Sequence, residues 1–191
     1  QQVVGLETLD HLVGAGKLQN PVFLLAGGFG TRLKPLTKDC PKPLLRVGSK
    51  PILETILDSF AGHGFENFYI SVHYKSEMIK KYFGNGAHFG VKVQYVEEST
   101  PLGTAGALSL LPDVDLPVIV MNGDLLTKVD FSELLDYHKR EQAAITMCVR
   151  EYEYQVPYGV IQYEDNKVTN VLEKPIEKYF VNAGIYVLSA E

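Results

Sequence analysis

The apolar run Val22-Phe-Leu-Leu-Ala26 stops at Gly27-Gly-Phe-Gly30, and the stretch from there to Gly48 is interrupted by Pro35, Pro41 and Pro43. A short apolar run bounded by glycine reads as a buried strand, and the proline-broken stretch after it reads as a long loop carried on the strand's end. That loop presents Arg32 and Lys42 beside backbone N–H groups freed by glycine. Convergent N–H groups and two cations at the end of a sheet suit a polyphosphate, so the local chemistry is that of nucleotide binding.

From about residue 22 onward, short β-branched runs alternate with segments of helical period, the pattern of a layered α/β domain. Strands are predicted at Val22–Ala26, Phe68–Val72, Val91–Val96, Val118–Met121 and Ile145–Val149, and helices at Pro51–Phe60, Ser76–Phe83, Thr104–Leu110 and Phe131–Lys139. After residue 150 the rhythm turns to strands at Tyr158–Gln162, Val168–Glu173 and Val181–Leu188, with a turn at Glu-Asp-Asn-Lys, as expected of a β-rich edge or lid. No internal repeat or low-complexity tract competes with this organisation. The opening Val-Val-Gly-Leu-Glu-Thr-Leu-Asp-His-Leu-Val reads as the end of something preceding the main domain, joined to it by a hinge at Gly14 and Gly16.

With 191 residues the chain is long enough for one substantial core. Eighteen basic and 23 acidic side chains leave a net charge of −5, which offers no electrostatic reason for a nucleic-acid or anionic-membrane partner. Cys40 and Cys148, far apart in sequence, form neither a disulfide framework nor a metal knuckle and read as reduced structural thiols. The N-terminus lacks the basic and apolar regions of a secretion signal, so the expected location is cytoplasmic.

The glycine loop lacks the Gly-Lys-Ser/Thr ending of an ATPase P-loop and the spacing of a dinucleotide fingerprint. A guanidinium fork at Arg32 and an ammonium at Lys42, stiffened by its flanking prolines, suit different oxygens of a triphosphate. Asp124 follows the apolar Val-Ile-Val-Met run within Asn122-Gly-Asp124, where a strand end can offer one carboxylate to Mg²⁺, with nucleotide oxygens and water completing its shell. Asn122 reads as support for the turn. His11, His63, His73, His88 and His138 show no compact ligand pattern and read as structural or surface residues. The tyrosines at 152, 154 and 158 fit a sugar cover, packing or a subunit contact equally, which leaves a homo-oligomer open.

Leu25-Ala-Gly-Gly-Phe-Gly-Thr-Arg-Leu-Lys-Pro-Leu-Thr, the Lys42-Pro-Leu-Leu and Val47-Gly-Ser-Lys-Pro-Ile-Leu-Glu runs, Pro101-Leu-Gly-Thr-Ala-Gly-Ala107, Asn122-Gly-Asp124, Glu173-Lys-Pro175 and Val181-Asn-Ala-Gly-Ile-Tyr186 together resemble the sugar-1-phosphate nucleotidyltransferases, or NDP-sugar pyrophosphorylases. The resemblance spans about residues 21–188 and is closest to the hexose-1-phosphate guanylyltransferases. It implies a Rossmann-like three-layer α/β fold with a mostly parallel central sheet and a β-rich sugar-side region. The nucleotidyltransferase domain is expected at 21–191, truncated at its C-terminus, with residues 1–20 a linker or the remnant of an upstream CBS-like regulatory module.

The activity implied is transfer of a nucleoside monophosphate from an NTP, GTP favoured, to a hexose or aminohexose 1-phosphate with release of pyrophosphate. The resemblance assigns Leu25, Gly27, Gly28, Gly30, Thr31, Arg32 and Gly103 to the nucleotide, and Lys42, Gly159, Glu173, Lys174 and Asn182 to the sugar phosphate. Arg32, Lys42 and Asp124 are the implied catalytic set, with Asp124 the Mg²⁺ ligand. The resemblance also implies a second acidic metal ligand, commonly in a tryptophan-containing stretch, that this Trp-free chain does not show, so the expectation is either weak or absent turnover by this fragment or compensation by a differently placed Asp. A uridylyl or thymidylyl transferase and a non-catalytic nucleotide or sugar-phosphate sensor are the alternatives.

Overall fold

The computed structural model describes residues 16–100 and 102–190. The expected regulatory remnant lies almost wholly outside these residues. The chain divides into two compact units, one of residues 16–146 and 185–190 among those described, the other Met147–Gly184.

The first unit is an α/β layer built on a mostly parallel sheet. Strand β1 (Leu18–Leu25) lies between β4 (Phe65–Val72) and β6 (Val118–Asn122), parallel to both, and β5 (Lys92–Glu97) extends the sheet parallel to β4. Beyond β6 the order continues with β10 (Ile176–Leu188) and β7 (Ile145–Gln155), and Ile185–Leu188 of β10 run antiparallel to β6. Strands β2 (Arg46–Val47) and β3 (Lys50–Pro51) make a small ribbon inside the stretch expected to be loop up to Gly48. The two short 3₁₀ turns Thr31–Leu33 and Lys42–Leu44 also fall within that stretch.

The continuous apolar run of β1 reflects its central position. Val22, Phe23 and Leu24 are all fully buried, as expected for a parallel strand covered on both faces. Phe23 faces a cluster with Val96, Ala107, Val118 and Val120. A second apolar cluster centres on Phe60 of helix α1 (Ile52–Gly62), which stacks on Phe131 at 3.7 Å between centroids and meets Phe65 and Phe68 edge-on. Helix α2 (Ser76–Phe83) has the predicted bounds and buries Ile79 and Phe83. The helix expected at Thr104–Leu110 is a short turn, α3 (Gly103–Gly106), followed by a 3₁₀ segment at Ala107–Leu110. Helix α4 (Phe131–Glu141) is capped by Asp130, whose carboxylate accepts the Glu133 N–H at 3.0 Å.

The second unit is β structure. Strands β8 (Gly159–Glu164) and β9 (Lys167–Glu173) pair antiparallel around the predicted Asp165-Asn166 turn, where both residues adopt positive φ. Strands β7 and β10 are longer than expected, because their polar, exposed portions carry no burial alternation to mark their ends.

Candidate active site

The parallel strands of the first unit end together, and this puts the site at their carboxyl edge. Leu25 is in register with Ser71 on one side and Asn122 on the other; the Ala26 N–H reaches the Ser71 carbonyl at 3.0 Å, and the Gly123 N–H reaches that of Leu25 at 2.8 Å. In open α/β sheets ligands bind at such carboxyl ends. A cleft of about 320 Å³ opens there, lined by Leu25, Gly27, Gly28, Phe29, Lys42, Glu98, Gly103, Asn122 and Asp124 among others.

Each side chain arrives by a local cause. Gly30 takes φ +63, and a Cβ there would lie 2.8 Å from the Thr37 methyl, so glycine is required for the turn that brings Thr37 Oγ1 to the Gly30 carbonyl at 2.9 Å. Thr37 is buried, and this hydrogen bond folds the loop back on itself. A Cβ on Gly27 would lie 2.5 Å from Glu98 Oε1, whereas one on Gly28 meets no protein atom within 4 Å. Gly27 therefore permits a close approach inside the protein, while Gly28 leaves space in the cleft.

Lys42 opens a 3₁₀ turn between the buried Pro41 and Pro43, the stiffening expected from its flanking prolines. Its ammonium pairs with the Asp124 carboxylate across the cleft, and each side chain is about one-third exposed. Thr31 starts the adjoining 3₁₀ turn. Arg32 lies in the same turn; the placement of its side chain is outside what the structure describes.

Glu98 was not among the expected site residues. It sits just beyond β5, only 9% exposed, and its carboxylate accepts the Ser71 hydroxyl at Oε1 and the Leu102 N–H, 3.1 Å away, at Oε2. The signal in sequence is slight: Glu97 and Glu98 are adjacent acids, and strand alternation sends Glu97 outward to Lys80 while Glu98 turns inward. Asn122, read as turn support, also lines the cleft.

The remaining candidates lie in the second unit. Gly159 is in register with Glu173, and Lys174, at φ +47, donates its N–H to the Tyr158 carbonyl at 3.3 Å while its ammonium is 3.8 Å from Glu173. Asn182 accepts the Gly184 N–H at 2.8 Å. Gly159, Glu173 and Lys174 are thus brought together, and Asn182 is held on β10.

A glycine loop, a lysine and a carboxylate at the carboxyl edge of a parallel sheet make an α/β protein whose cleft suits a phosphate-bearing ligand. The sequence profile of the family described as Nucleotidyl transferase matches residues 22–191, and the chain belongs to that family. It is 36% identical over 178 residues to a mannose-1-phosphate guanyltransferase of Yarrowia lipolytica, covering 87% of this chain and 48% of the relative. A mannose-1-phosphate guanyltransferase of Saccharomyces cerevisiae is 36% identical over 183 residues, covering 88% and 49% respectively. The chain thus spans about half the length of the curated relatives it matches. Among solved structures, HddC from Yersinia pseudotuberculosis complexed with GMP-PN shares 27% identity with a TM-score of 0.67, covering 90% of this chain and 77% of that one. Among the described residues, no helix is long and apolar enough to cross a membrane.

Proposed function

We propose that the protein transfers GMP from GTP to a hexose 1-phosphate, releasing pyrophosphate. The observation that carries this reading is the single cleft joining the Gly27–Gly28 loop to Lys42, Asp124 and the inward-facing Glu98 carboxylate. The Watson–Crick edge of guanine offers N1–H and N2–H₂ donors side by side, and a carboxylate, all acceptor, pairs with both. Ser71 and the Leu102 N–H occupy only part of the lone-pair capacity of Glu98. Uracil and thymine present carbonyl oxygens on either side of one N–H and would be repelled. The relatives described as guanyltransferases, and the relative complexed with GMP-PN, support the same base.

In the reaction an oxygen of the sugar phosphate attacks the α-phosphorus, the bond to the β-phosphate oxygen breaks, and pyrophosphate leaves with the bonding electrons. The second phosphate pKa is about 6, so the nucleophile is ionised near neutrality and needs no dedicated base. The protein's part is alignment and charge stabilisation. Loop N–H groups and Arg32 hold the triphosphate, and Lys42 turns from Asp124 to the phosphates at the reacting centre. Among the described residues no cluster of three His, Cys, Asp or Glu could enclose a metal ion. The Asp124 carboxylate, about one-third exposed beside open space for phosphates, nevertheless fits Mg²⁺, which takes few protein carboxylates and completes its shell with phosphate and water oxygens. Asp124 is the residue that would hold it. Bound there, Mg²⁺ would offset negative charge on the triphosphate. Gly159, Glu173, Lys174 and Asn182 are proposed to hold the sugar phosphate, and the setting is proposed to be cytoplasmic.

The test is pyrophosphate release by the full-length protein across a matrix of NTPs and hexose 1-phosphates with Mg²⁺. The expected result is sugar-dependent release, strongest with GTP, reduced about 10²-fold or more by Lys42→Ala. Saturable GTP binding with no sugar-dependent release in any pairing would make the protein a nucleotide sensor instead.

A further inference from the structure

His73 follows β4 directly, and its imidazole touches two parts of the cleft at once. Its Nδ1–H donates to the Glu98 carbonyl at 2.7 Å, while the Glu98 N–H donates to the Val72 carbonyl at 3.0 Å. Residues 72 and 73 therefore hold the Glu98 backbone by both of its polar groups. The same ring meets the Phe29 ring edge-on, with centroids 5.3 Å apart and planes at 89°. Phe29 lies between Gly28 and Gly30 in the glycine loop, lines the cleft and is 46% exposed. Tyr74, next in sequence, is also against Phe29, with centroids 5.7 Å apart.

We propose that His73 is a positioning residue that ties the base side of the cleft, at Glu98, to the phosphate side, at the glycine loop. The inference rests on the guanine reading of the cleft. A carbonyl only accepts, so Nδ1 must carry a proton and the imidazole orientation follows from that bond. With one edge fixed on Glu98, the ring is a wall against which Phe29 and its glycine neighbours settle. Two ends of one nucleotide are thereby held at a set separation by a side chain that touches neither.

Two substitutions separate the two contacts. His73→Phe keeps an aromatic ring for Phe29 and removes the donor; His73→Asn keeps a donor near the Nδ1 position and removes the ring. The full-length protein and both variants are titrated calorimetrically with GTP, ITP, which lacks the 2-amino group read by Glu98, and GMP, which lacks the outer phosphates. His73→Phe is expected to lower the preference for GTP over ITP by about five- to tenfold, the loss of one hydrogen bond's ordering, and to leave the preference for GTP over GMP unchanged. His73→Asn is expected to do the reverse. Thermal melts within a few degrees of wild type accompany that result. Wild-type discrimination with neither ratio altered, or with both ratios falling together in both variants, overturns the role of His73 alone. A wild type that does not prefer GTP to ITP overturns the guanine reading, and this inference with it.

Discussion

On the proposed guanine reading, Glu98 concentrates the base specificity of the cleft in one carboxylate. Ser71 and the Leu102 N–H hold it, and Gly27 makes room for it. Replacing it by glutamine swaps one acceptor for a donor while keeping the shape, so guanine's adjacent donors lose a partner and uracil gains one. Glu98→Gln is expected to reduce GTP affinity by about 10- to 100-fold, the worth of a hydrogen bond to a charged group, and to narrow the gap between GTP and UTP. Competitive titration of the four NTPs measures this; an unchanged ranking would remove Glu98 from base recognition. At this scale Lys42 and Asp124 were legible in sequence, because proline flanks and a strand-end turn announce where their side chains must emerge. Glu98 was not, since an acid beside another acid at a strand end is ordinary until burial distinguishes them.

Among elements, α4 is tied to the end of the sheet by His138, which is 2% exposed. Ser189 Oγ donates to the Ala143 carbonyl at 2.9 Å, so it accepts the His138 Nε2–H at 3.2 Å, leaving Nδ1 to accept the Thr146 hydroxyl at 2.8 Å. Both ring nitrogens are satisfied in the neutral form, and burial pushes the imidazole pKa below its ordinary value. The folded state therefore binds the proton less readily than the unfolded chain. The stabilisation is complete above the unfolded pKa, about 6.5, and is lost as pH falls through the lowered folded pKa. The expected outcome is a melting temperature that falls from about pH 7.5 to about pH 5, and falls less in His138→Gln, whose amide offers a donor and an acceptor without titrating. Equal slopes in both proteins would assign the acid sensitivity elsewhere. The reading of His138 as structural came from the lack of any ligand spacing, but its partners at residues 146 and 189 are joined to it only by the packing of α4 on the sheet.

Over the molecule, the cleft proposed for the nucleotide belongs to the first unit, whereas Gly159, Glu173, Lys174 and Asn182 belong to the second. The proposed assignment of the nucleotide to one set of residues and the sugar phosphate to the other predicts separable defects. Lys174→Ala is expected to raise the KM for the sugar 1-phosphate about tenfold or more while leaving the dissociation constant for GTP unaltered. A parallel loss of GTP binding would contradict that division. The parallel core was readable because strands buried on both faces must be continuously apolar, as residues 22–25 of β1 and 118–121 of β6 are, and helices need their period of apolar residues, as in α2. The lengths of β7 and β10 were not, because strands exposed along most of their course leave no alternation to read. The α/β class, the glycine loop and the emergence of Lys42 and Asp124 are all consequences of local backbone preference and hydrophobic period, and so were readable from the residues alone. That Glu98 turns inward, that Gly27 is small on its account and that His73 reaches both Glu98 and Phe29 emerged with packing, because burial and contact between distant segments are properties of the folded chain.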